Sequence, residues 1–230
     1  YNRALIALLD DASVDGMIWA RSGSLGIEEA PALWAGDQHA TWPQLRSLVP
    51  AGLSTSISGM PFWGHDIGGY LGTPSPELYI RWLQFGAFSP LMQYHGVTPR
   101  EPWAFGPEAE LAYARLAHLR AALAPTLKAL GAAAARAGTP IMQPMIYAFP
   151  DDARFIGEDT QYMLGPDLLV APVLEEGAYG RRVLFPAGRW RQTLKPVAFT
   201  GPAAYDVAID VQSVPVFVRD GADLAINPDQ

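Results

Sequence analysis

The 230 residues contain no cysteine, so neither a disulfide nor a thiolate metal site can form. That leaves the compartment open. Charge is also scarce: 17% of residues are charged, with 16 Lys and Arg against 23 Asp and Glu, giving a net charge of -7. So acidic a chain lacks the basic face that nucleic acid or an anionic membrane requires. No apolar run approaches the roughly 20 residues of a membrane span, and no basic-then-apolar leader opens the chain. The four histidines, His39, His65, His95 and His118, show no His-x-x-x-His spacing, so neither a metal site nor a cofactor is expected. No glycine-rich stretch matches a phosphate loop, and Gly52-Leu53-Ser54 lacks the second glycine of a nucleophile elbow. Internal repeats are absent, and the alanine-rich Ala132–Ala135 reads as helix.

Apolar residues are plentiful. At 50% hydrophobic and 11% aromatic, the chain can bury one large core or two modest ones. Seven Trp and nine Tyr in an acidic chain fit a carbohydrate partner, because aromatic faces pack on sugar rings. A large core uses the same residues. The start at Tyr1, already in an amphipathic helical pattern, reads as a truncated N-terminus that would hide any signal peptide. The acidic pI and missing cysteines lean toward a bacterial cytoplasm, and a homo-oligomer stays open.

The organising stretch is Trp34-Ala35-Gly36-Asp37. Ala32 and Leu33 suit a short buried strand, Gly36 permits the tight exit, and Asp37 projects from it. A carboxylic acid at a strand end among apolar neighbours has its pKa raised toward working pH, as a general acid requires. The tetrapeptide alone also fits a turn with a solvated Asp. Before it, Gly16–Ala20 reads as a strand ending at Arg21-Ser22-Gly23, where Arg21 can hold a hydroxyl, pair with a carboxylate or join a surface ion pair. After it come a helix-like Trp42–Leu53 and a strand-like Ser54–Phe62 that runs into Trp63 to Tyr70. Glycines directly after Asp66 suggest backbone close to a ligand or a neighbouring loop. Ser75-Pro76 starts a helix, and Pro90–Tyr94 reads as a buried strand ending at His95. Leucines at three- and four-residue steps make Glu108–Ala137 helical, with Pro125 expected to kink or divide it.

This rhythm of strand, polar exit and helix is that of a (β/α) barrel, with Arg21, Asp37, Asp66 and His95 each at an exit. Beyond Thr139 the texture changes. Pro144–Phe149, Leu168–Leu174, Arg182–Phe185 and Val214–Val218 read as short strands between Gly, Pro and Asp turns, a small β-sandwich. The expected fold class is α/β: the second half of a (β/α)8 barrel over 1–138, a sandwich over 139–220, and a linker or the start of a further segment over 221–230.

The runs Trp34–Asp37, Phe62-Trp63-Gly64-His65-Asp66-Ile67-Gly68-Gly69-Tyr70, Glu77–Trp82, Phe88–His95 and Tyr162–Val173 together resemble glycoside hydrolase family 31, which holds α-glucosidases and α-xylosidases. The resemblance covers nearly the whole chain in order. It implies a retaining hydrolase that uses two carboxylates roughly 5–5.5 Å apart. Asp37 is then the general acid/base, Trp34 and Arg21 line the reacting subsite, and Asp66 and His95 bind sugar hydroxyls. Phe62 and Trp63 join the substrate-binding set. The family's nucleophile, an Asp in a Trp-x-Asp-x-x-Glu-like motif, has no counterpart here: Asp10, Asp11 and Asp15 precede the strand that ends at Arg21. The resemblance thus implies an α-glucosidase-like fragment without the first four barrel strands and inactive alone. α-Xylosidase or sulfoquinovosidase specificity, or a non-catalytic sugar-binding remnant, are the alternatives.

Overall fold

The computed structural model describes residues 2–21, 26–27, 32–222, 224 and 226. Tyr1, the Ser22-Gly23 exit and most of the 221–230 linker lie outside the described residues. The first region is helix α1 (Asn2–Asp11), strands β1 (Trp19–Ala20), β2 (Ala32–Trp34) and β3 (Phe62–Gly64), and helices α2 (Trp42–Ile57), α3 (Pro76–Ala87) and α4 (Pro107–Ala137). The strands form a parallel sheet in the order β1-β2-β3, with Trp19 opposite Ala32 and Leu33 opposite Trp63. A parallel bridge between Asp66 and Gln93 marks a fourth position beside β3.

Each helix forms for a local reason. In α2 the buried Leu45, Leu48, Val49, Leu53 and Ser56 recur at helical spacing. That register carries the helix through Ile57, so Ser54–Ile57 is helical where a strand is expected. Gly52 lets α2 close on the sheet, since a Cβ there would lie 2.6 Å from the Trp63 ring. Ser75 caps α3 by accepting from the Leu78 N–H at 3.3 Å, with Pro76 in the first turn. Every residue of α3 from Leu78 to Ala87 is buried, as expected of a helix between two layers. In α4, Pro125 does not divide the helix, which runs on to Gly138 in the left-handed region. Pro90–Tyr94 contributes only the bridge at Gln93 and no full strand.

The second region is a six-stranded antiparallel sheet in the order β4-β5-β6-β9-β7-β8. Its strands are β4 (Met142–Pro144), β5 (Tyr162–Leu164), β6 (Leu168–Val170), β7 (Gly180–Gln192), β8 (Ala198–Ala208) and β9 (Val216–Arg219), with a short helix α5 (Met145–Ala148) after β4. The expected strand at Pro144–Phe149 is therefore mostly helix. Alternation assigns the faces: Tyr162, Leu164, Leu168 and Val170 join the core shared with α3 and α4, while Met163, Leu169 and Phe217 face a second core. Val183, Phe185 and Trp190 of β7 close that second core. A register shift between Phe185 and Gly188 bends β7, and the antiparallel sheet, curled over its own apolar face, is consistent with the expected β-sandwich. Arg81 and Gln84 of α3 tie the layers together, donating to the Ser213 and Val211 carbonyls at 3.2 and 2.9 Å.

Candidate active site

The polar residues gather at the C-terminal ends of the parallel strands, the end at which barrel enzymes carry chemistry. After β2 the chain turns at Gly36, with φ 86°, and presents Asp37. Arg21, one residue past β1, donates to Asp37 Oδ2 at 3.1 Å, and its guanidinium lies 5.6 Å from the centroid of the Trp34 ring. Arg21 thus pairs with a carboxylate, and with both side chains open to solvent this is also a surface ion pair. Asp37 keeps 35% of its side chain exposed. Its surroundings are a cation and solvent rather than the apolar enclosure expected.

Burial belongs to Asp66 instead. It is fully buried two residues past β3, and Gln93 donates to its Oδ1. Burial raises its pKa; the nearby His95, the Gln93 hydrogen bond and the Trp34 indole act against that rise, and Asp37 adds to it. The Trp34 N–H satisfies hydrogen-bond geometry with the Gly36 carbonyl, at 3.2 Å, so its effect on Asp66 is one of proximity. Asp66 Oδ2 is buried without a hydrogen-bond partner among the described residues. It is an acceptor held ready. His95 is exposed, its ring 5.0 Å from that of Tyr70. One constellation therefore contains Arg21, Trp34, Asp37, Asp66 and His95, joined by Gln93 and Tyr70. Among the described residues no group of three or more His, Asp or Glu could hold a metal ion.

Phe62 and Trp63 do not reach this constellation. Trp63 is 2% exposed, its ring against Gly52 of α2 and 5.4 Å from His65, and Phe62 packs on the core near Gly131 of α4. Trp63 is turned toward α2, and its nearness to Asp66 in sequence does not carry over into a shared surface. His65 is likewise buried. Its Nδ1 accepts from Trp82 Nε1 at 3.0 Å, its Nε2 lies 3.1 Å from Ser89 Oγ, and its ring stacks on Phe85 at 4.6 Å. Burial pushes its pKa down to about 3.

The glycines after Asp66 do bring backbone close to a neighbouring loop. A Cβ at Gly69 would lie 2.8 Å from the Ala40 nitrogen, and the Tyr70 and Leu71 N–H groups donate to the Gln38 carbonyl at 2.8 and 2.9 Å. Beside His95 a cleft of about 420 Å³ opens between Tyr94, Trp103 and Tyr113.

Comparison with known proteins places the chain. The model of the glycosyl hydrolases family 31 TIM-barrel domain matches residues 1–130, and that of the glycosyl hydrolase family 31 C-terminal domain matches 138–223. Alpha-glucosidase 2 of Bacillus thermoamyloliquefaciens is 31% identical over 209 residues, covering 90% of this chain and 27% of the relative. An alpha-xylosidase of Emericella nidulans is 34% identical over 239 residues, covering 99% and 30% respectively. The cycloalternan-degrading enzyme from Trueperella pyogenes, solved in complex with a covalent intermediate, superposes with a TM-score of 0.90 at 31% identity, covering 96% of this chain and 32% of that one. The chain thus spans about a third or less of the length of these relatives.

Proposed function

Because the chain belongs to glycosyl hydrolase family 31, we propose that it supplies the acid/base and sugar-holding residues of a retaining α-glycosidase acting on terminal α-linked glucose. The observation that carries this reading is the pairing of an exposed, Arg-bound Asp37 with a buried Asp66 at one sheet end. Asp37, reachable from solvent, protonates the glycosidic oxygen as the bond breaks and then takes a proton from the incoming water. Arg21 holds that carboxylate in place. Asp66 offers its free Oδ2 to a sugar hydroxyl, His95 binds a second hydroxyl, and the Trp34 ring packs on the pyranose face. The covalent intermediate seen in the Trueperella pyogenes relative is in keeping with a retaining route.

A retaining route needs a carboxylate nucleophile as well. Asp10 and Asp11 end α1 and Asp15 follows it, all exposed and all before β1. None lies at the strand ends, so we read the chain as one part of a longer glycosidase, inactive alone. That absence favours a second reading, in which the chain holds a sugar without cleaving it. The alpha-xylosidase relative keeps open a substrate lacking glucose's exocyclic carbon, and sulfoquinovose a modified one.

Asp37→Ala tests the assignment in a polypeptide extended to include an Asp in a Trp-x-Asp-x-x-Glu context. Hydrolysis of maltose should fall by about 10²- to 10⁴-fold. Formation of the glycosyl-enzyme from an activated aryl glucoside, which needs little protonation, should fall far less. Equal losses on both substrates would remove Asp37 from the acid/base role. An extended wild type that binds glucose but never hydrolyses either substrate would establish the second reading.

A further inference from the structure

Arg100 stands outside every motif discussed above, yet it is 5% exposed. Its side chain forms no hydrogen bond to a carboxylate among the described residues. It addresses carbonyls from two loops: Nε donates to Gly69 O and Nη2 to Gly72 O, both at 2.9 Å, while Nη1 donates to Thr98 O at 3.1 Å and Pro99 O at 3.0 Å. Gly69 and Gly72 follow Asp66; Thr98 and Pro99 follow His95. Two glycines clear the space it fills. A Cβ at Gly68 would lie 3.2 Å from Arg100 Cδ, and one at Gly96 would lie 2.8 Å from Cζ. The loops are also joined by Val97 N–H donating to Tyr70 O at 2.9 Å and Thr98 Oγ1 to Gly72 O at 2.9 Å.

A buried guanidinium is costly to desolvate, and a hydrophobic side chain would close the same space more cheaply. What the guanidinium adds is a rigid planar fork of five donors that fixes several acceptors at once. We propose that Arg100 is a positioning residue that fastens the loop after Asp66 to the loop after His95, so that these two groups meet the same sugar ring. The sugar belongs to the functional reading above; the fastening does not depend on it. The charge of Asp66 in turn favours the charged form of the buried Arg100.

Amide hydrogen exchange on the 230-residue chain, with the imidazole resonances of His95 and His65 recorded alongside, tests the proposal. In Arg100→Met the amides of Tyr70, Leu71 and Val97 should exchange about tenfold faster or more, as expected when hydrogen bonds to a charged group are removed. The amides of β6 and β9 should keep their protection. The His95 resonances should move and those of His65 stay. Arg100→Lys, with its charge kept but no fork, should restore only part of the protection. Gly96→Ala, which displaces the guanidinium without removing it, should reproduce the effect and decides the matter if Arg100→Met fails to fold. Unchanged loop protection and an unmoved His95 signal would overturn the proposal, as would an equal loss across β6 and β9. Titration of the wild type with glucose separates the two readings. No shift at Asp66 or His95 would count against the sugar site and leave the fastening to be judged on exchange alone.

Discussion

The two sheets of this protein are built on opposite plans. The parallel sheet has strands of two or three residues, and its last position is a single bridge at Gln93. Its polar side chains crowd one end, and beside Leu91 and Met92 an apolar groove runs along α4 past Tyr113 and Ala117. The antiparallel sheet has strands of up to 13 residues, folds over its own face and encloses an aromatic cluster of Phe185, Phe199 and Phe217. One region carries the candidate site on loops tied by hydrogen bonds above a large core, and the other is packed with apolar side chains on both faces of its sheet. Loops of the first kind have low local stability unless side chains brace them, and Arg100 and the His65 chain are the braces here.

The largest effect should come from the apolar side. Trp190 is fully buried in the second core, and its Nε1 donates to Pro186 O at 3.1 Å. Trp190→Ala should cost about 3–5 kcal/mol, measured by urea denaturation followed through the sheet's amides. A loss below about 1 kcal/mol would mean that the folded-over sheet is not held by that core.

A smaller effect, confined to the polar side, comes from His65. Its pKa is lowered from 6.5 to about 3 by burial, so below pH 6.5 the unfolded chain binds a proton that the folded chain refuses. Stability contributed by His65 is therefore complete above pH 6.5 and is lost as pH falls toward 3. The slope is about 1.4 kcal/mol per pH unit, or about 2 kcal/mol by pH 5. His65→Gln can accept from Trp82 and donate to Ser89 without titrating, so it should flatten this slope. If the variant and the wild type lose stability in parallel between pH 6.5 and 5, the acid sensitivity lies elsewhere.

The same contrast explains what was legible in the sequence. Local rules found the Ser75-Pro76 helix start, the leucine ladder of α4 and the β2 exit at Gly36, because each depends on a few adjacent residues. They failed where a distant partner decides. Ser54–Ile57 is β-prone in composition but stays helical because Leu53 and Ser56 continue the buried face of α2. The long β7–β8 hairpin was seen only at Arg182–Phe185. Pro186, Gly188, Gly201 and Pro202 look like turns in the sequence, whereas they build the bend between Phe185 and Gly188, where a Cβ at Gly201 would lie 1.9 Å from Pro186 O. At the site, Arg21, Asp37, Asp66 and His95 were readable as strand exits, and Trp34 as the aromatic residue before one of them. Gln93 and Arg100 were not, since a hydrogen-bond partner across 27 or 31 residues leaves no periodic trace. The glycines at 68 and 96, whose missing side chains leave room for it, were the sign of Arg100 that the sequence carried.

The smallest effect on stability should accompany the largest loss of function, and it separates the two carboxylates. Asp37 pairs with Arg21 where both are open to solvent, at 35% and 53% exposure, and such pairs contribute little. Asp37→Asn should shift stability by no more than about 0.5 kcal/mol. Asp66→Asn should move it in the stabilising direction at neutral pH. Burial raises the Asp66 pKa, so the folded chain holds that proton more tightly than the unfolded one, and stability is lost as pH rises through the folded value. A neutral amide of the same shape removes that cost while still accepting from Gln93. Thermal unfolding of both variants at pH 7, set beside glucose binding, checks the pair. Asp66→Asn should unfold at a higher temperature and bind glucose more weakly, whereas Asp37→Asn should unfold with the wild type and bind nearly as well. A destabilised Asp66→Asn would show that the buried carboxylate braces the fold, and the division between a packed half and a working half would then fail at its most buried charge.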